Sequence, residues 1–435
     1  MTSFVCPLLG VRAGEDTELG FGANHEDYSS HGGLVAVVDP DKERVAQFNA
    51  ELIPPGHPRV PWYPPDQFGA MIEQDRPDTV IVASPDHTHT DYILAALERG
   101  VDVITEKPMV TTAADARRVL AAERASPANV LVTHNLRYVR RHQQIKRLVR
   151  DGAVGRPTYV TLEYHVDIRH GASYFLRWNR RRALSGGLSV HKGAHHLDLV
   201  SWWLDDVPER VYAVGGRSYY GPDSPHRPRS ADGTTYSGRE LRARDPYFRA
   251  QVGSGAFPDD AATDRVGFLG LTYPHQYPAG REMYLYDDEI DIEDTYSSLL
   301  SYSNGASLSY TIDFSSPWEG YRLVINGTHG QLETMSGRLP DGTPLGDSSS
   351  IIYRPLFGEP ETIEVQTVTG GHGGADPLMR RDIFVEPSAA SRELGLAASS
   401  LEGAVAVAAG EAIWRSSAEG RVIELRELLG EELDG

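Results

Sequence analysis

The chain has 435 residues and a formal net charge of −19, from 42 Lys and Arg against 61 Asp and Glu. Because nucleic-acid-binding surfaces are normally basic, this charge argues against a nucleic-acid partner. Hydrophobic residues make up 40% of a chain that is too long for one ordinary hydrophobic core, so we expect two domains. The single cysteine, Cys6, cannot form an internal disulfide, which suits a reducing compartment and predicts a cytoplasmic protein.

The N-terminal segment 1–20 has no basic stretch followed by an uninterrupted apolar stretch, so it does not resemble a secretion signal. No window of the chain approaches the roughly 18 consecutive apolar residues that a membrane helix requires. We therefore expect neither a membrane segment nor a membrane partner.

Short β-branched strands alternate with amphipathic helices between residues 33 and 150. The pattern predicts strands at 33–39, 78–84, 101–108 and 129–134, and helices from 41, at 90–100 and at 112–125. Such alternation is typical of βαβ units, whose strands form a parallel sheet covered by helices on both faces. We expect an α/β fold in which residues 1–135 form a Rossmann-like, doubly wound dinucleotide-binding domain.

After residue 150 the alternation changes to the strand period, at 158–168, 306–314 and 321–327. Two helices are expected within this region, at 188–204 and 394–417. We predict that residues 136–435 form an α+β domain for substrate binding and oligomerisation, with an open, mainly antiparallel sheet. Residues 215–265 are rich in Gly, Pro, Ser, Tyr and Arg and are predicted to be a long loop insertion.

Asp39 ends the first clear strand, where an acid in a dinucleotide-binding sheet accepts hydrogen bonds from the adenosine ribose. A turn aspartate in front of Pro40 is an equal alternative. The preceding loop, 7–16, contains Gly10 as the candidate phosphate-contacting glycine, but Leu8 and Leu9 stand where a glycine should let the backbone approach the pyrophosphate. Cofactor binding is thus indicated by the domain and poorly supported by its glycine loop.

Lys107 follows a predicted parallel strand in the segment ITEKPM, and ligands of open α/β sheets lie at this end of the strands. Its position between Glu106 and Pro108 favours a lysine that points into the crevice over a solvated surface lysine. A lysine whose pKa is lowered by burial can exchange a proton with a substrate hydroxyl.

The segment 185–203 is the richest in titratable side chains. On one helix, His191, His195 and Asp198 would share a face, and Lys192 and His196 a neighbouring one. Three interpretations remain open: a catalytic acid–base cluster, which we favour, buried structural histidines, and a zinc site. Zinc is the weakest, because the glutamate of an HExxH motif is missing and no cysteine could assist, so no metal is predicted.

A smaller polar group lies in the segment 167–178 and contains Arg169, His170, Tyr174 and Arg177. Hydrogen-bonding side chains of this kind suit a hydroxyl-rich ligand. They would suit a solvated loop equally well.

Four segments together resemble one known family. VVDPDKERV (37–45), SPDHTHTDYILAALERGVDVITEKPM (84–109), the R-Y of NLRY and GGLSVHKGAHHLDLVSWW (186–203) resemble the Gfo/Idh/MocA oxidoreductases. These enzymes act on sugars, inositols and related compounds with a nicotinamide cofactor. The resemblance runs from about residue 33 to the C-terminus, and EKP followed by GG…H..D is its most specific part.

The resemblance implies roles for individual residues. Lys107 matches the lysine that contacts cofactor and substrate, and His195 matches the catalytic histidine, with Asp198 three positions later. Asp39 matches the ribose-binding acid and favours NAD over NADP. His191 stands where the family usually has aspartate. The remaining cofactor-binding residues implied are Ser84, Pro85, His87, His89 and Glu106.

We therefore expect hydride transfer between a secondary alcohol of a sugar or cyclitol and NAD. His195 would take the hydroxyl proton with help from Lys107, while His191 also belongs to the catalytic group. Substrate would be bound by Arg169, His170, Tyr174, Lys192, His196 and Asp198. The resemblance further implies a homodimer or homotetramer.

Two alternatives stay open. Some relatives cleave glycosides with a tightly bound NAD that is reduced and reoxidised within each turnover. A non-catalytic sugar sensor or scaffold that has lost cofactor binding is the other, although the presence of both Lys107 and His195 argues against it.

Overall fold

The computed structural model describes residues 2–6, 31–51, 53, 56, 58–234, 236, 238–245, 247, 283–347, 349–366, 368 and 371–434. The predicted phosphate-contacting Gly10 and part of the predicted 215–265 insertion lie outside these residues. Within the described part of the chain, no helix is long and apolar enough to cross a membrane.

The first sheet is parallel except at one edge. Its strands in the described residues are β1 (Thr2–Cys6), β2 (Gly32–Val38), β3 (Trp62–Tyr63), β4 (Thr79–Val82), β5 (Asp102–Thr105), β6 (Val130–Val132) and β16 (Ala398–Ser399). They lie in the order β16-β6-β5-β4-β1-β2-β3, and only β16 runs antiparallel to its neighbour. This order confirms the predicted doubly wound sheet and brings the carboxyl ends of β2, β4, β5 and β6 to one edge.

Five helices follow these strands: α1 (Lys42–Glu51), α2 (Phe68–Asp75), α3 (His89–Glu98), α4 (Ala113–Ala125) and α5 (Arg140–Arg150). The Thr112 hydroxyl accepts a hydrogen bond from the Asp115 N–H and begins α4, as an N-cap does. Gly100, at φ +68°, follows the end of α3 in the left-handed conformation that glycine adopts without strain. Local sequence signals therefore set these helix ends where they were predicted.

The second sheet is mainly antiparallel, as predicted. Its strands are β7 (Pro157–Asp167), β8 (Pro208–Gly216), β9 (Thr295–Tyr302), β10 (Ser307–Ser316), β11 (Glu319–Gly327), β12 (Gly330–Arg338), β13 (Pro344–Leu345), β14 (Ser350–Pro355), β15 (Glu361–Glu364) and β17 (Ile423–Glu424). The order is β15-β14-β12-β11-β7-β10-β9-β8-β17, with β13 beside β12. Among the described strands of this second sheet, only the neighbours β7 and β10 run parallel to each other.

The remaining helices are α6 (Ile168–Phe175), α7 (Arg182–Ser185), α8 (Leu188–His191), α9 (Gly193–Leu204), α10 (Gly238–Arg244), α11 (Gly371–Phe384), α12 (Ala389–Leu394), α13 (Ser400–Glu419) and α14 (Leu425–Leu429). The prediction of one helix over 188–204 was wrong, because the chain breaks at Lys192 between α8 and α9. Glycine at position 193 has low helix propensity and lets the backbone change direction. The 394–417 prediction was also displaced, since left-handed Gly395 ends α12 and the Ser399 capping box begins α13.

The C-terminal region fastens the site helices to the first sheet. Strand β16 adds to β6, and α13 then passes close behind α8. A side chain at Gly410 of α13 would lie 2.5 Å from the Ser189 carbonyl, so only glycine allows this approach. The Ser189 hydroxyl donates to the Gly410 carbonyl at 2.8 Å. The predicted domain division at residue 135 falls in the turn Asn135–Tyr138.

His142 predicts how stability depends on pH. It is 4% exposed, and its ring nitrogens contact the Leu136 carbonyl at 2.8 Å and the Tyr321 hydroxyl at 2.9 Å. Burial, assisted by the charge of Arg141, lowers the pKa of His142 to about 3. Between that value and the unfolded pKa of about 6.5, the unfolded chain binds a proton that the folded chain does not. Stability therefore falls as pH falls through this window.

His142→Gln is expected to remove this contribution. The slope of unfolding free energy against pH between pH 4 and 6 should decrease by about 1.4 kcal/mol per pH unit. Urea unfolding at three pH values measures the slope, with His165→Gln, at a side chain about one-fifth exposed, as the control. Equal slopes for wild type and His142→Gln would contradict the assignment.

Candidate functional site

Lys107 lies at the edge of the first sheet where the parallel strands end, and its side chain contacts the second domain. It follows β5, whose continuation is held by a 2.8 Å bond from the Glu106 N–H to the Val82 carbonyl. The Lys107 ammonium donates to the backbone carbonyl of His191 at 3.3 Å. The Glu106 carboxylate, half-buried, accepts the Lys107 N–H at 3.2 Å. Lys107 thus points into the crevice toward the site helices.

The loop after β4 holds four of the predicted cofactor-binding residues. Ser84 is buried and its hydroxyl lies 2.5 Å from the Thr88 hydroxyl, while Pro85 is half-buried. His87 is exposed near the Trp178 ring, and partial burial of its ring lowers its pKa.

His89, which the sequence predicts to bind cofactor, makes its hydrogen bonds with the backbone. It is fully buried, and its ring nitrogens lie 2.8 Å from the Ser84 carbonyl and 3.0 Å from the Pro108 carbonyl. Both polar atoms of the ring are engaged by backbone. His89 therefore ties the Ser84 loop to the Lys107 loop and positions both.

Asp39 accepts a backbone hydrogen bond in the turn after β2, which is one of the two roles that the sequence left open. Its carboxylate is buried at the end of β2, accepts the Asp41 N–H at 2.7 Å and pairs with Arg44 at 3.2 Å. Lys42 lies 5.4 Å from the centre of the Trp62 ring. These contacts fix the carboxylate at the edge where an adenosine ribose would bind, with cations beside it.

His191 bridges the two domains. Its Nδ1 lies 2.5 Å from a carboxylate oxygen of Asp86, and its Nε2 lies 3.2 Å from the amide nitrogen of Asn179. Because an amide NH₂ can only donate, Nε2 accepts and Nδ1–H donates to Asp86. Both ring nitrogens of His191, which the sequence assigns to the catalytic group, are therefore engaged by Asp86 and Asn179.

His195, on α9, is a buried histidine that lies near two lysine charges. It is 4% exposed, and its Nδ1 has no hydrogen-bond partner among the described residues. Burial, together with the charges of Lys107 and Lys192, lowers the pKa of His195 well below its usual value. The imidazole is therefore neutral at pH 7, which is the form that accepts a proton.

His196 and Lys192 both lie against the aromatic ring of Tyr164. The His196 ring stacks on Tyr164 with centres 3.8 Å apart, and its Nδ1 lies 2.8 Å from the Tyr310 hydroxyl. The Lys192 ammonium lies 5.4 Å from the centre of the same Tyr164 ring. Burial, then the charges of Lys192 and Lys107, lower the pKa of His196 well below its usual value.

Asp198, which the sequence predicts to bind substrate, has its carboxylate bound by Arg137. Arg137 holds both of its carboxylate oxygens, at 2.9 Å and 2.5 Å, and also pairs with Glu402 at 2.8 Å. Both charged side chains are almost fully buried, so each needs the other. The Asp198 carboxylate is consequently an anchor for α9, and its remaining close neighbour is His134, at 3.7 Å.

A hydrogen-bonded chain joins Tyr174, His170 and Glu319. The Tyr174 hydroxyl lies 2.9 Å from His170 Nε2, and His170 Nδ1 lies 2.9 Å from Glu319. Burial alone would raise the pKa of Glu319, but the hydrogen bond and charge of His170 lower it to about 2. Arg169, expected beside these residues, is exposed and donates to the Pro340 carbonyl at 3.1 Å.

Sequence reasoning assigned no role to four residues of this region, His134, Arg137, Asn179 and Glu319, although Arg137 belongs to the NLRY segment that carries part of the family resemblance. His134 follows β6 as Lys107 follows β5, so the rule that found Lys107 would also have found it. Asn179 and Glu319 carry no comparable signal. Among the described residues, no three His, Cys, Asp or Glu side chains gather as metal ligands.

The chain matches the models of both domains of one oxidoreductase family. Residues 9–134 match the family model for the NAD-binding Rossmann fold of an oxidoreductase family, and residues 146–425 match the model for its C-terminal alpha/beta domain. The chain is 42% identical over 408 residues to YteT of Bacillus subtilis (strain 168), described provisionally as an oxidoreductase, covering 93% of this chain and 94% of YteT.

Two further relatives are more distant. The inositol 2-dehydrogenase of Rubrobacter xylanophilus is 29% identical over 192 residues, which cover 42% of this chain and 48% of that enzyme. An Agrobacterium radiobacter oxidoreductase, solved in complex with NAD+, L-tartaric acid and magnesium, shares the fold with a TM-score of 0.64 at 15% identity, covering 99% of both chains. The two family models and the YteT match show that the chain belongs to the Gfo/Idh/MocA family of oxidoreductases.

Proposed function

We propose that the protein oxidises a secondary alcohol of a sugar or cyclitol with NAD, reversibly. The observation that carries this proposal is a neutral, buried His195 close to the charges of Lys107 and Lys192, at the carboxyl edge of an NAD-binding sheet. A neutral imidazole can take a hydroxyl proton, and a nearby ammonium favours the developing negative charge on oxygen.

The residues at this edge fit a nicotinamide dinucleotide. Asp39 would hold the adenosine ribose, the Ser84–Pro85 loop and Glu106 would line the path of the cofactor, and Lys107 would contact the nicotinamide ribose. NAD is proposed over NADP because a 2′-phosphate would meet the buried carboxylate of Asp39, with which Arg44 pairs at 3.2 Å. When bound, the nicotinamide supplies the acceptor for the carbinol hydride.

The protein's own groups then position the alcohol and move its proton. His195 takes the hydroxyl proton while Lys107 donates a hydrogen bond to the same oxygen. Lys192 and Tyr174 bind neighbouring hydroxyls, with Tyr174 oriented by His170 and Glu319. His191 and Asp198 position the helices that carry these groups. The names of inositol dehydrogenase relatives favour cyclitols within this substrate class.

Absorbance of reduced cofactor tests the proposal. Purified protein is mixed with myo-inositol, D-chiro-inositol, common aldoses and uronic acids, each with NAD and with NADP, and with matched aryl glycosides. We expect reduced cofactor with at least one polyol, and a higher kcat/KM for NAD than for NADP. Glycoside cleavage without net reduction would replace the proposal by internal redox cleavage. Absence of NAD and NADP binding by calorimetry at millimolar concentration would replace it by a non-enzymatic role.

The open face of the second sheet supports a homo-oligomer. Tyr159, Tyr212, Val214 and Leu299 are 40–62% exposed on β7, β8 and β9, and the Tyr212–Leu299 pairing places these two on one face. We propose that this face joins two copies into a homodimer or homotetramer. Light scattering should give a multiple of the 47.8 kDa chain mass, and Leu299→Glu should reduce it toward the monomer. A wild-type monomer at micromolar concentration would contradict this assembly.

A further inference from the structure

His134 is a buried histidine without a conventional structural explanation. It follows β6 at the carboxyl edge of the first sheet and is 2% exposed. Neither ring nitrogen has a hydrogen-bond partner among the described residues. Buried polar groups in native proteins are normally hydrogen-bonded, and an exception at a ligand-binding edge points to a group that acts during turnover.

The carboxylate of Asp198, predicted from the sequence to bind substrate, faces His134. Asp198 Oδ2 lies 3.7 Å from His134 Nδ1, and Arg137 fixes that carboxylate from the other side. A carboxylate opposite Nδ1 favours the tautomer with its proton on Nδ1 and leaves Nε2 as a proton acceptor. This is the arrangement that orients a general base, at the longer distance common before a ligand binds.

The two imidazoles lie in contrasting electrostatic surroundings. Their ring centres are 6.3 Å apart, with the rings edge to face at 74°. Burial is the first cause that lowers the pKa of His195, followed by Lys107, Lys192, His134 and His196. Burial also lowers the pKa of His134, where Asp198 and Glu402 oppose the shift and Arg137 and Lys107 add to it. Carboxylates therefore favour an imidazolium at His134, whereas each neighbouring group that acts on His195 opposes one.

We propose that His134 is a second acid–base residue, which receives the substrate proton after His195 has removed it. This inference rests on the proposed alcohol oxidation. The O–H bond breaks and an N–H bond forms on His195, while the hydride leaves carbon with its electron pair for the nicotinamide. The proton then passes from His195 to Nε2 of His134, whose Nδ1–H faces Asp198, once the two rings approach each other from the 6.3 Å that separates their centres in the ligand-free structure. His195 thereby returns to its neutral form. The reverse sequence serves ketone reduction.

The resting protein tests the first half of this proposal. In ¹⁵N-histidine-labelled protein, the resonances of His134 are assigned by their loss in His134→Gln. We expect a neutral ring protonated at Nδ1, and we expect Asp198→Asn to raise the population of the Nε2–H tautomer. A wild-type ring protonated at Nε2, or a tautomer that Asp198→Asn leaves unchanged, would overturn the proposal. This measurement uses neither substrate nor cofactor.

Turnover tests the second half, with the polyol that gives the fastest NADH formation. His134→Gln keeps a polar side chain and should lower kcat by about 10²-fold with little change in KM, and it should alter the pH profile of kcat. The matched control is His142→Gln, a buried histidine of similar exposure that should lose stability and keep wild-type kcat. Wild-type kcat and pH profile in His134→Gln would sink the proposal. If wild-type protein reduces no cofactor, the alcohol-oxidation proposal fails on its own account, and the tautomer measurement still judges the Asp198–His134 pairing.

Discussion

Alanine at His195 should lower kcat for the best polyol by about 10²–10⁴-fold and change KM little, because a general base acts mainly in the transition state. His195 is buried and its Nδ1 has no partner among the described residues, so its removal breaks no hydrogen bond at that atom of the resting fold. Steady-state kinetics with NAD, followed by absorbance of the reduced cofactor, measures both constants.

His165→Ala is the control for this experiment. His165 is about one-fifth exposed on the second sheet, where it pairs with Asp313 at 2.9 Å and contacts Ser316 and Trp318, which are not among the proposed catalytic residues. It should retain wild-type kcat. Retention of wild-type kcat in His195→Ala itself would show that another group takes the proton.

Replacement of Arg137 by methionine should destabilise the protein by about 3–5 kcal/mol, because it leaves the buried Asp198 carboxylate without its cation. Arg137 also donates to the Gly395 carbonyl at 3.0 Å, just after α12, and pairs with Glu402 of α13. This one side chain therefore joins the turn Asn135–Tyr138 to three helices. Urea unfolding measures the loss.

Two further variants separate charge pairing from general damage. Arg137→Met combined with Asp198→Leu removes both charges and should recover part of the lost stability. Arg118→Ala breaks an exposed pair with Asp115 and should cost less than about 1 kcal/mol. If Arg137→Met costs no more than Arg118→Ala, the buried pair does not hold the site together.

Local patterns in the sequence were sufficient for most of the fold. Residues 101–108 and 112–125 carry a buried strand and a capped helix, and the structure places β5 and α4 there. The break at Lys192 was not predicted, because hydrophobic periodicity continues through residues 188–204. Strand β16 was also not predicted, since two residues that pair with β6 leave no periodic signal.

The sequence identified many of the residues at the candidate site but not the contacts that each of them makes. Lys107 and His195 were found because a strand end and a family motif both point to them. Asp198 and His191 were identified as site residues, but the partners that decide their roles, Arg137 and Asp86, lie 61 and 105 positions away in sequence. Such long-range ion pairs have no local pattern. Arg169 shows the same limit, because spacing on a short helix did not decide which side faced the site.

The transfer of deuterium from substrate carbon to the cofactor tests the central claim most directly. The polyol that supports NADH formation is prepared with deuterium on its carbinol carbons and incubated with NAD and the protein. Mass spectrometry of the isolated NADH should show one deuterium on the nicotinamide ring, with wild-type protein and, far more slowly, with His195→Ala. Consumption of the polyol with no deuterium in the NADH would contradict hydride transfer to the nicotinamide at this site.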